Sequence, residues 1–233
     1  LIVLIYWRGV FMGQSQPLAD WTYPAIASYY MLLVVAGSLL IAHIEEEVAY
    51  YDIQLGGLSP YLLRPFSYFT AKFFHEFPWR IVQGVFGVTV FTVFTILFGS
   101  LVLVSKDPVH ILGGVVIAAF AYLLSFVFKM IVGLTAFWIT DYSGLQQLIE
   151  VLTIVLAGFI MPLELLPAGL KTIAMVLPFS YMIYFPVLAF LGKLDSSQML
   201  TTVGMQSMWL VVMFISYCIL WKNGIKKFTS LGQ

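Results

Sequence analysis

His75-Glu76 is the first place in this chain where neighbouring residues could do chemistry. A zinc-peptidase helix begins this way, but it needs a second histidine four residues after the first, so that both reach one metal from one helical face. The run here is "HEFPW", with Trp79 at that position. His43, His75 and His110 are the only histidines and lie far apart, and His43 and Glu45 share no helical face with a third ligand. A zinc site needs three or four ligands converging. "LGKL" at 191–194 brings a Gly-Lys pair of the kind that ends a phosphate-binding loop. Such a loop opens on a glycine five residues earlier and closes on Ser or Thr. Val187 and Leu194 occupy those positions, so the chain has no route to ATP hydrolysis through this motif. Asp141 and Glu150 flank the turn between the fourth and fifth spans; Glu150 is read as a solvated or paired surface group near one membrane face, with an intramembrane acid as the alternative. Cys218 is the single cysteine and sits in an apolar run, as a small lipid- or helix-facing residue. The chain is read as not an enzyme, with no catalytic residue, no metal ligands and no cofactor of its own.

One other stretch has the residue types of a built element. "LGGLSPYLLRPFSYF", residues 55–69, carries paired glycines, two prolines and an arginine among aromatics. Gly56-Gly57 suits the left-handed geometry that ends a helix. Ser59 is placed to cap a new one with Pro60 at its first position. Arg64 precedes Pro65 and so avoids helical angles. The expectation is helix, break, one-turn helix "PYLL", break. A short stiff helix of this kind has the shape of a contact element, and an ordinary ordered loop is the plain alternative. The preceding "HIEEEVAYYDIQL" is expected to continue the second span as a helix, with Glu45, Glu46 and Glu47 solvated. Phe66, Phe69, Phe73 and Phe77 then fall near one face of an interfacial amphipathic helix, 66–77, with Lys72, His75 and Glu76 as its more polar neighbours. That helix feeds the third span across Pro78.

The elements that must position this stretch are membrane spans. Of 233 residues 61% are hydrophobic and only 9% charged, and the mean hydropathy is +0.99. Soluble domains are about a quarter charged, so the surrounding medium for this chain is lipid. A net charge of zero gives no basic surface for nucleic acid. Apolar runs at 1–12, 22–42, 81–104, 110–137, 145–161 and 203–221 predict six spans. The first is short and reads as a span whose beginning is missing. Arg8 within it is read as snorkelling or pairing with a neighbouring helix. The connection 162–202 contains Pro162, Pro167, Pro178 and Pro186. Its apolar runs are too short to cross and too apolar for a solvated loop, which predicts short re-entrant helices. Arg64, Lys72, Arg80, Lys129, Lys222, Lys226 and Lys227 fall on one side, and Lys106, Lys171 and Lys193 on the other. The positive-inside rule places the C-terminus and the 43–80 connection in the cytoplasm, and the 162–202 connection outside. The fold class is thus all-α: a polytopic membrane protein forming one domain over 1–233, with a cytoplasmic shelf at 43–80 and an external cap at 162–202.

"DIQLGGLSPYLLRPFSYF" resembles the signature that follows the second span in bacterial ABC-2 type permeases, the membrane subunits of ATP-binding-cassette exporters. "GFIMPLELLPAGLKTIAMVLPFSYMIYFPVLAFLGKL", 158–194, and the tail "QSMWLVVMFISYCILWKNGIKKFTSLGQ" are similar to two further stretches of that family, in the same order. Members of the family start with a cytoplasmic amphipathic helix and a complete first span, from which this chain departs. The resemblance implies that Gly56, Gly57, Leu58, Ser59, Pro60, Tyr61, Leu62, Leu63 and Arg64 form the coupling helix, which rests in a groove of an ATPase subunit. It implies two cytosolic ATPase copies that bind the ATP and magnesium, a second permease subunit, alike or different, and residence in the cell membrane. It also implies a re-entrant hairpin over about 162–192 that caps the exit of an export pathway. A channel or ion-coupled carrier is the alternative function, and a membrane-embedded enzyme a more remote one. The former would show midplane ionisable groups or an inverted repeat, and the latter clustered polar residues at bilayer depth; neither pattern is evident in the sequence.

Overall fold

The structure, a computed structural model, describes residues 2–13, Leu18 and 20–228. Among the described residues its regular secondary structure is helical, apart from a single bridge between Leu18 and Trp21. The helices are α1 (Ile2–Gly13), α2 (Tyr23–Leu40), α3 (Ser59–Leu62), α4 (Tyr68–Phe98), α5 (Pro108–Leu134), α6 (Tyr142–Leu156), α7 (Ala168–Val176), α8 (Pro178–Met182), α9 (Tyr184–Leu191) and α10 (Ser196–Gly224). A π-helix, Glu47–Gln54, lies between α2 and α3.

Four of these are long and apolar enough to cross a membrane: α2, α4 with its short extension to Leu101, α5 with its extension to Phe137, and α10. α1 and α6 are apolar but shorter. Val82, Val85, Phe86, Ile96 and Leu97 on α4 are large, apolar and exposed. In water that surface would be untenable; against lipid tails it costs nothing.

The sequence starts its helices by capping. Thr22, Ser67, Asp107, Asp141 and Asp195 each accept a backbone N–H of the first turn that follows. Asp195 and Gln198 complete a reciprocal capping box on α10. At Asp141, hydrogen bonds from Ser143 hold the carboxyl below its usual range.

The order of packing follows from the apolar stripes. α10 runs along α5, α4 lies against α2, and α9 wedges between α5 and α2. Residues 157–195 form a folded-back excursion. Gly158 turns the chain after α6 at φ +87°, where a side chain would be strained and its Cβ would lie 2.5 Å from the Tyr29 hydroxyl. The Tyr29 hydroxyl donates to the Gly158 carbonyl and that of Tyr30 to the Ile160 carbonyl. Trp209 donates to the Val176 carbonyl, and Gln206 to those of Tyr181 and Ile117. At 1.5 Å per residue, Gln206 lies about 15 Å along α10 from Ser196. The bend between α7 and α8 is therefore sunk to about mid-helix, and α9 returns from it to the end where α10 begins. There the Ser105 amide bonds the Phe190 carbonyl.

Two expectations need correction. α2 does not continue as a helix into the shelf: Ile41 is extended, and winding resumes only beyond Ile44, as a π-helix over 47–54. No separate interfacial helix covers 66–77, because α4 starts at Tyr68 and runs straight through Pro78. The phenylalanine face is instead packed inward at Phe69 and Phe73, whose rings sit 5.2 Å from Phe126 on α5. Arg8 and Glu150 are exposed and form no ion pair among the described residues. The last residues of the quoted tail, 229–233, lie outside the described residues.

Candidate functional site: the shelf between α2 and α4

The break after α2 frees backbone groups that must be satisfied. Arg80 donates to the Ile41 carbonyl at 2.8 Å, and the His43 amide donates to Glu76 Oε1 at 2.9 Å. Ser125 on α5 accepts the Ala42 amide at 3.0 Å. Arg80 and Glu76, one turn apart on α4, are themselves paired at 2.7 Å. Both are buried, at 2% and 5% exposure. Two charges inside an apolar helix are thus used to stop the neighbouring helix.

Beyond the break a second set of charges fastens the π-helix. Lys72 is fully buried and sits between Glu47 and Asp52, with Nζ 2.6 Å from Asp52 Oδ2 and in direct contact with Glu47. The Tyr68 hydroxyl donates to the same Asp52 carboxylate. Glu45, also buried, pairs with Lys129 near the end of α5. Glu45, Glu47 and Asp52 therefore tie the short helix to α4 and α5. The expectation that Glu45, Glu46 and Glu47 are solvated holds only for Glu46: Glu45 is buried and Glu47 half-buried. Glu45 and Lys129 are 84 residues apart, so no local pattern announces the pair. For Lys72 a signal existed. Lys72, Glu76 and Arg80 recur every four residues, which places all three charges on one helical face.

The turn to α3 is wound tightly onto the π-helix. The Gly57 amide reaches back to the Tyr51 carbonyl and that of Leu58 to the Asp52 carbonyl, at 3.1 and 2.9 Å. Gly56 takes φ +80°, the left-handed geometry its position predicts. Leu58 is fully buried and anchors the turn. Leu58, rather than Ser59, occupies the cap position of α3. Ser59 is the first helical residue, and its hydroxyl turns back to the Gly56 carbonyl. The helix is over by Leu62, before Arg64 and Pro65.

What this scaffold presents outward is apolar. Leu63 is 88% exposed and Leu62 42%. Tyr50, Tyr51, Leu55 and Phe66 are exposed around them. Pro60 and Arg64 are exposed too, with the Arg64 guanidinium 5.5 Å from the Tyr61 ring centre. Tyr61, between them in the sequence, is half-buried. Its ring meets Tyr68 edge-on at 5.4 Å and covers the Lys72 ammonium at 4.8 Å. Tyr68 in turn stacks on Trp221 of α10 at 4.8 Å. The nine sequence-predicted residues thus divide into anchors, Gly56, Gly57, Leu58, Ser59 and Tyr61, and a presented tip, Pro60, Leu62, Leu63 and Arg64.

An exposed leucine tip thus sits on a shelf tied by ion pairs to α4 and α5, with Tyr68 of α4 stacked on α10. The family model that matches residues 1–232 is that of the ABC-2 family transporter protein. The chain belongs to the ABC-2 transporter family. It is accordingly a multi-pass membrane protein and the permease subunit of an ABC transporter, a family whose membrane subunits work with ABC ATPase subunits. No curated protein and no solved structure matches it. Among the described residues of this ABC-2 permease, the buried charges gather at the shelf and the helices against it.

Proposed function

We propose that this ABC-2 permease is the pathway-forming subunit of an exporter, and that residues 56–64 are the coupling helix through which separate ATPase subunits drive it. The observation that carries the reading is the pairing of opposites in one element: Leu62 and Leu63 face outward, while the scaffold beneath is locked by Lys72, Glu47 and Asp52. A tether loop would not need buried ion pairs. A lever does, because motion at its tip is lost if its base is soft.

In this reading 1–233 is one transmembrane domain of six helices, with α1 and α6 as the shorter spans. The shelf and the C-terminus face the cytoplasm, and the folded-back segment is an external re-entrant cap. Two permease subunits, alike or different, enclose the pathway, and two ATPases bind beneath, holding ATP and magnesium. Nucleotide binding closes the ATPases, pushes the tips, and shifts a bistable helix packing from inward- to outward-open. Burying Leu62 and Leu63 in an ATPase groove would contribute roughly 1.5–3 kcal/mol each before entropy costs.

The test is the double substitution Leu62→Asp with Leu63→Asp. It should leave the permease folded and inserted, since both side chains lie outside the packed core. The ATPase should no longer co-purify, and transport should stop. Normal co-purification together with normal transport would refute the assignment.

A further inference from the structure

At the end opposite the shelf, the first turn of α5 meets the turn that joins α9 to α10. Asp107 caps α5, with Oδ1 accepting the Val109 amide at 3.1 Å. Its other oxygen, Oδ2, lies 2.8 Å from Nδ1 of His110. The remaining ring nitrogen, Nε2, lies 3.0 Å from the carbonyl oxygen of Leu194. Leu194 is buried, at the exit of the folded-back segment. A carbonyl only accepts, and so does an ionised carboxylate, whereas a neutral imidazole carries one N–H. Both bonds together require the imidazolium.

We infer that His110 is a proton-operated latch, which when protonated fastens the Leu194 turn to α5 and when neutral releases it. On losing a proton the ring keeps one N–H. That proton goes to the carboxylate, because a hydrogen bond to an ion is about twice as strong as one to a neutral carbonyl. Bonds from His110 and Val109 hold the Asp107 carboxyl below its usual range, which keeps it the ionised partner of the ring. The His110 side chain is 23% exposed and sits in the first turn of α5, directly after the exposed Lys106 and Asp107.

The other charges around the turn are engaged elsewhere or solvated. Lys193 donates to the Asp20 carbonyl at 3.0 Å and lies 4.1 Å from the centre of the Trp21 ring. Asp195 accepts the Gln198 amide at the start of α10. Lys106 is exposed. The Ser105–Phe190 and Lys193–Asp20 bonds do not depend on the histidine proton. Deprotonation therefore loosens one of three fastenings rather than unfolding the segment. The proposed topology enters only in saying that the latch senses the outside pH; the latch itself stands without it.

Hydrogen exchange across 190–196, in the purified chain reconstituted in lipid nanodiscs, tests this without ATPase or transport. Wild type and His110→Ala are compared at the same pH, which cancels the intrinsic pH dependence of exchange. Near pH 5.5 the wild type should exchange about fivefold more slowly than the variant. Near pH 8 the two should agree. Asp107→Asn keeps the helix cap, and its amide can donate to Nδ1, which leaves the neutral ring's one proton for Leu194. That variant should protect the segment at both pH values. A wild-type to His110→Ala ratio that is the same at both pH values, or an Asp107→Asn variant that keeps the wild-type pH dependence, would overturn the latch.

Discussion

The Lys72 ammonium lies 2.6 Å from the Asp52 carboxylate, and no part of Lys72 reaches solvent. This contact joins α4 to the π-helix, where, under the proposed coupling role, a docked partner's push would enter the long helices. Its value lies in placement. An ion pair in an apolar interior stabilises little net, because desolvation offsets most of the attraction. Breaking one half is another matter.

Lys72→Met should therefore leave Glu47 and Asp52 facing each other without a cation, at a cost of about 3–5 kcal/mol. Thermal unfolding in detergent should show a marked loss. Adding Glu47→Gln and Asp52→Asn to Lys72→Met should restore much of that stability, since no buried charge then lacks a partner. If transport stays low in the restored triple variant while the ATPase still binds, the pairs serve force transmission rather than folding. A triple variant with full transport would count against the lever.

At Gly56 the backbone holds φ +80°. Gly56→Val should cost roughly 1–2 kcal/mol from left-handed strain alone. The strain falls on the turn that aims α3, so ATPase association should weaken more than membrane abundance. Equal losses in both would mean that the turn matters for folding only.

Much of this was legible in the sequence, and the reasons for the remainder are physical. Long apolar runs announce α2, α4, α5 and α10, because lipid demands them. Gly56 and Pro60 announce the turn and the short helix, because few residues tolerate those backbone positions. The burial of Glu45 was not legible: its partner Lys129 lies on a distant helix, and a glutamate run at a span's end reads as solvated. Nor was the π-winding of 47–54, whose residues suit an ordinary helix equally well. The half-burial of Tyr61 was not legible either, because a one-turn helix has no periodicity to show which side chains turn inward.

Gln206 is fully buried and bonds two carbonyls, those of Ile117 on α5 and Tyr181 on α8. Gln206→Leu should uncouple the sunken bend from α10, with a loss of about 1–2 kcal/mol. Exchange should rise in 176–184 before it rises in α10. An unchanged exchange pattern would show that the bend is held by apolar packing alone.

The topology can be read by thiol labelling, because the two ends of the molecule carry well-separated exposed residues. Leu63 is 88% exposed at the shelf, and Ser196 is exposed at the start of α10. Cys218 is exposed on α10 and must be replaced first, by serine or alanine, to remove the background. In that background Ser196→Cys should react with a membrane-impermeant maleimide in intact cells, and Leu63→Cys should not. After permeabilisation Leu63→Cys should react too when the permease is expressed alone. With the ATPase present it should be shielded, since the same side chain is the proposed contact. The two readouts separate two claims. Labelling of Leu63→Cys in intact cells, with Ser196→Cys protected, would invert the orientation. Correct orientation with no shielding by the ATPase would leave the topology standing and remove the coupling role from the tip.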